Sequence, residues 1–75
     1  MWKHGNIKHG EFDFYWEIKV YDECSVFGID GGRISKLCIK YEGFTMCCYD
    51  REWVMKPSSP IVVDVLRLIL QQHNH

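Results

Sequence analysis

The sequence carries no excess of charge of either sign. Lys and Arg number 9, Asp and Glu number 10, and the formal net charge is -1. Coating a phosphate backbone needs a strong basic surplus, so general nucleic-acid binding is excluded as the main activity. Long hydrophobic runs are also missing. The most apolar stretch, residues 61–70, is broken by Asp64 and Arg67 and is too short to span a bilayer. The opening Met1-Trp2-Lys3-His4-Gly5 is not followed by the apolar segment of a secretory signal. No Cys-x-x-Cys pair occurs among Cys24, Cys38, Cys47 and Cys48, which argues against a zinc framework. Adjacent Cys47 and Cys48 point to opposite faces of a strand and fit a disulfide framework poorly. The four thiols are therefore expected to be unliganded packing groups, with no metal or cofactor, in a reducing cytosol.

What is present is a chain of 75 residues, 47% hydrophobic and 15% aromatic, the size of one small domain. Surface scaling gives about 63% of the chain surface buried on folding, a thin margin that makes a disulfide, a metal or a partner subunit plausible.

The clearest pattern is strict alternation. Phe12, Phe14, Trp16, Ile18 and Val20 alternate with Asp13, Tyr15, Glu17 and Lys19. Period two over this length predicts a strand with one buried face. Residues 2–8 read as an earlier strand, with Gly5 as a bulge and His9-Gly10 as the turn. Residues 22–32 hold Ser25, Gly28, Asp30, Gly31 and Gly32 and form a long loop.

Alternation resumes over 33–41, and Glu42-Gly43 marks a hairpin into a fourth strand, 44–50. In that strand Phe44, Met46 and Cys48 share one face and Thr45, Cys47 and Tyr49 the other. The pattern leaves open which is inward. Ser59 as N-cap and Pro60 at the first helical position open a helix over 61–72. Its core stripe is Ile61, Val62, Val65, Leu66 and Ile69. Residues 73–75 read as a frayed end. The expected fold is α+β, a single domain over 1–75: a four-stranded antiparallel meander with one C-terminal helix on one face (ββββα). Val63, Leu68 and Leu70 flank the stripe and point to a homodimer or higher homo-oligomer.

Two places could carry chemistry. In the first, consecutive glycines let backbone N–H groups converge on an anion, so Gly31 and Gly32 with Arg33, Ser35 and Lys36 form a candidate phosphate site. The fingerprints of dinucleotide folds and P-loops are absent, and a plain connector is the competing reading. In the second, Tyr49, Arg51 and Trp53 combine a cation with two aromatics at a strand end, suited to stacking on a nucleotide or to anchoring a protein. No nucleophile–base arrangement is recognisable, so no enzymatic activity is expected.

The string Gly31-Gly32-Arg33-Ile34-Ser35-Lys36-Leu37, followed by Tyr49-Asp50-Arg51 and Trp53, resembles a family of small uncharacterised domains from Bacillota, their phages and integrative elements. Trp2 and Tyr21-Asp22-Glu23 fit the same pattern. The family pattern has Gly before the Trp, where this chain has Glu52, which puts the local backbone in question. The resemblance implies a mobile-element origin and nothing catalytic.

Two binding functions follow as expectations. One is sequestration of a phosphate-bearing small ligand, such as a nucleotide signal used in host defence. The other is binding to a host protein through Tyr15, Tyr21 and Tyr49 on a polar sheet face.

Overall fold

A computed structural model describes residues 1–75. Five strands follow one another, β1 (Trp2–His9), β2 (Phe12–Val20), β3 (Ile34–Tyr41), β4 (Phe44–Asp50) and β5 (Trp53–Met55), and a helix, α1 (Pro60–His73), ends the chain. The strands form one antiparallel sheet in sequence order. The expected α+β meander under a single helix is observed, with a fifth strand that alternation could not reveal in three residues.

That fifth strand depends on a tight return. Arg51 adopts φ 61, in the left-handed region, and the Asp50 N–H donates to the Glu52 carbonyl at 2.9 Å. The turn brings Trp53 opposite Tyr49. The β3–β4 turn places both Glu42 (φ 48) and Gly43 (φ 83) in the same region, whose twist matches the strands it joins.

Burial follows the β2 alternation. Phe14, Trp16, Ile18 and Val20 are buried, and Phe12 at the strand start stays 40% exposed. They meet Val62, Val65, Leu66 and Ile69 of α1 in one cluster with Ile29, Ile34, Leu37, Ile39, Cys47 and Tyr49. Cys47 and Tyr49 thus mark the inward face of β4. Ile61 packs at the margin of this core rather than within it. Ser59 caps α1 by position only, with no side-chain hydrogen bond to the helix. Leu70 packs against the chain's own core and Val63 is half-buried, so Leu68 alone of the helix flank is exposed. No helix is long and apolar enough to cross a membrane.

Gly5 is not a bulge, because β1 pairs with β2 in unbroken register. Its role is room. Gly5 lies opposite Trp16, and a Cβ there would sit 3.0 Å from the indole ring. The His73 ring packs near the same indole, with centroids 5.3 Å apart and the planes tilted by 41°.

Trp16→Ala is expected to lower stability by about 3–5 kcal/mol in urea unfolding, as for a large buried aromatic. A loss under about 1 kcal/mol would mean that the indole contributes little to the core.

Burial, aided by Lys3, holds the His73 imidazole below its ordinary value of 6.5. The unfolded chain then takes up this proton at higher pH than the folded one. Stability is full above the unfolded value and falls as pH drops below it, until the folded ring also protonates. His73→Leu should flatten the fall of stability below the ordinary imidazole value, which denaturant titrations at a series of pH values would reveal.

Candidate functional site

The glycine loop closes on itself. The Gly31 N–H donates to the Gly28 carbonyl at 3.0 Å, and the Gly32 N–H donates to the Ile29 carbonyl at 2.9 Å. A short 3₁₀ turn, Ile29–Gly31, sits between them, and the Ile29 side chain is buried as its anchor. The two amides expected to receive an anion are therefore committed to carbonyls of their own loop.

Arg33 is committed as well. Its Nε donates to the Tyr21 carbonyl at 2.9 Å and its Nη1 to the His75 carbonyl at 3.1 Å. The chain end is accordingly not frayed. Asn74 accepts the Ile34 N–H at Oδ1 (2.9 Å) and donates from Nδ2 to the Ile29 carbonyl (2.8 Å). One amide side chain carries both a donor and an acceptor, so it can bridge the loop and the start of β3. Gly32 has to be glycine for this contact, since a Cβ there would fall on the Asn74 amide.

The other expected site residues do not converge. Ser35 is buried, and its Oγ donates to the Lys19 carbonyl at 3.2 Å. Lys36 lies on the sheet face away from α1, with its Nζ 3.8 Å from Asp50. Tyr49 faces the core. Its hydroxyl donates to the Phe27 carbonyl at 3.0 Å, and its ring meets Trp53 edge-on at 5.1 Å. Burial, with the Asp30 and Glu52 carboxylates adding to it, pushes the Tyr49 phenol up and keeps that donor protonated. Tyr49 therefore cannot join Tyr15 and Tyr21 on an exposed polar face, because the register sets it opposite the buried Leu37. Arg51 is exposed, while its N–H donates to the Ser35 carbonyl at 2.9 Å. Loop, core and outer face each hold some of the eight residues.

Three concavities touch the outer face or its rim. The largest, about 510 Å³, lies between the two hairpins and is walled by Glu11, Asp13 and Glu42 with Lys40 as its one cation. A second, about 390 Å³, is formed by Phe27, Asp50, Arg51 and Glu52. The third, about 180 Å³, is lined by Trp2, Cys38 and Cys48 with Glu17, Lys36 and Asp50 among its polar members. Here Trp2 is 58% exposed. A fourth hollow, apolar, lies between Phe12, Met46 and Ile61 at the sheet–helix margin.

The comparisons with known proteins bear on the whole chain. A family model described as a domain of unknown function (DUF7678) matches residues 1–74. The chain belongs to this family. No match was found among curated proteins or among solved structures. Family membership agrees with the resemblance to small uncharacterised domains and brings no activity with it.

Trp2, Cys38 and Cys48 are the residues that sequence reasoning did not assemble. Alternation does put Cys38 on the outward set of β3. The partner of Cys38, however, depends on a bulge. The β3–β4 register shifts by one residue between Ile39 and Lys40, at the level of Met46, and so sets Cys48 opposite Cys38. In unbroken register Cys38 would have faced Cys47.

Asn74→Ala removes both bridging hydrogen bonds and leaves the Ile34 N–H without its partner. The expected cost is about 1–3 kcal/mol, measured by thermal or urea unfolding. A change within about 0.5 kcal/mol would mean that water replaces the amide at no loss.

Proposed function

We propose that this chain is a non-catalytic cytosolic interaction module that binds a protein partner with the sheet face that α1 leaves uncovered. The observation that carries the reading is the groove of about 180 Å³ beside Trp2. Small-molecule sites usually enclose about 300–1,000 Å³, so this groove suits one inserted side chain better than a nucleotide. An exposed indole with a charged rim of Glu17, Lys36 and Asp50 has the make-up of an interface anchor, in which a few aromatic residues supply most of the binding energy. Tyr15 extends the same face, its hydroxyl 3.5 Å from Glu17 and its ring near His4.

A phosphate-bearing ligand is less well served. The amides of Gly31 and Gly32 and two nitrogens of Arg33 already have partners. The two larger concavities place three carboxylates against Lys40, and two against Arg51. A dianionic group would be repelled in both. A phage or integrative-element origin fits a small stoichiometric binder of this kind.

The test is affinity capture of the tagged full chain from its source cells, followed by native mass spectrometry. A protein partner should co-purify in fixed stoichiometry. Trp2→Ala should weaken that complex roughly 30-fold, about 2 kcal/mol for an anchor residue, while Arg51→Ala leaves it within a few-fold. A co-purified nucleotide that is lost in Arg51→Ala, with no protein bound, would overturn the reading.

A further inference from the structure

Cys38 and Cys48 face each other across β3 and β4, with their sulfurs 2.9 Å apart. Both are half-buried, and both line the groove beside Trp2 on the uncovered face. We propose that this pair is a dithiol modification site, which a low-molecular-weight disulfide oxidises to a cross-strand disulfide within the chain.

Geometry favours closure. Directly opposed residues of an antiparallel pair have Cα atoms about 4.5–5.5 Å apart, inside the roughly 4.4–6.8 Å that a disulfide accepts. The sulfurs need to approach by less than about 1 Å to reach bonding distance. The other two thiols cannot compete for this bond. Cys47 is fully buried on the opposite face of β4, and Cys24 lies exposed in the 22–32 loop. The hairpin holds the two thiols together before any oxidant arrives, so ring closure within the chain outruns a second encounter in solution.

The order of events follows from the surroundings of Cys38. Burial first, then the hydrogen bond and negative charge of Cys48, then Glu17, push the Cys38 thiol up to about 12 against a smaller pull from Lys40. Cys38 is thereby disfavoured as the first nucleophile, and attack begins at Cys48. The Cys48 thiolate bonds to one sulfur of the oxidant, whose S–S bond breaks and releases one thiolate. With Cys48 held in the mixed disulfide, no charged sulfur opposes ionisation of Cys38. The Cys38 thiol then gives its proton to solvent, and its sulfur bonds to that of Cys48, displacing the second thiolate of the oxidant. Two protein thiols lose two electrons and two protons, and the oxidant becomes two thiols.

The experiment uses the reduced full chain with oxidised glutathione as the probe, quenched with acid and alkylated after unfolding. Wild type should gain one internal disulfide, a loss of two hydrogen atoms once the alkyl groups and any glutathione on Cys24 are subtracted. Peptide mapping should join Cys38 to Cys48 and find alkyl groups on Cys47 and on any Cys24 that glutathione has not capped. Cys38→Ser should lose the bridge and accumulate glutathione on Cys48. Mapping of the wild type decides the matter alone should the variant fold poorly. The proposal is overturned by a bridge that includes Cys24 or Cys47. It is equally overturned by a glutathione adduct that persists on wild-type Cys48, or by reaction confined to Cys24.

Discussion

A single helix covers one face of a five-stranded sheet, and the rest of the molecule follows from that limit. The 14 residues of α1 span about 21 Å, enough to lie across the inner face and no more. The apolar side chains that can be hidden are those that β2 and β3 send inward, chiefly Trp16, Ile18, Leu37 and Ile39 against Val65 and Ile69. The outer face has no such cover. It is built mostly from polar residues, Asp13, Glu17, Lys19, Lys36 and Lys40 among them, with Trp2, Met55 and the sulfurs of Cys38 and Cys48 among the exceptions.

The loop and the chain end form a second layer of dependence. Ile29 anchors the loop in the core, and Asn74 at the end of α1 bridges that loop to the first residue of β3. Arg33 joins the carbonyls of Tyr21 and His75 across the same corner. Polar groups that a sequence reading assigns to a ligand make hydrogen bonds within the fold here. A buried carbonyl or N–H without a partner is costly, and a loop crossing a core edge has several of them to satisfy. In a chain this small, few side chains are left over for that task, so glycine amides and an arginine are drawn into it.

The uncovered face holds the groove on which both proposals rest. Its one large exposed aromatic, Trp2, sits beside the one pair of sulfurs in contact, in a groove of side-chain size. The proposed binding surface and the proposed dithiol site share the same few residues of β1, β3 and β4.

Local pattern by itself determined the first four strands, the Glu42-Gly43 turn, the helix start at Pro60 and the inward set of β2. Each of these is set by neighbours within a few residues, through period-two alternation or turn and cap chemistry. Three features were decided only in three dimensions. Gly5 makes room for an indole eleven residues away, which no local signal distinguishes from a bulge. Asn74 finds its partners 45 and 40 residues upstream, so a polar C-terminal residue reads as a loose end until the helix is docked. The bulge at Met46 chooses Cys48 over Cys47 as the neighbour of Cys38. A one-residue shift carries a side chain to the other face of a sheet, so cross-strand partners belong to the register, and register is fixed by packing across strands rather than by the order of residues along one.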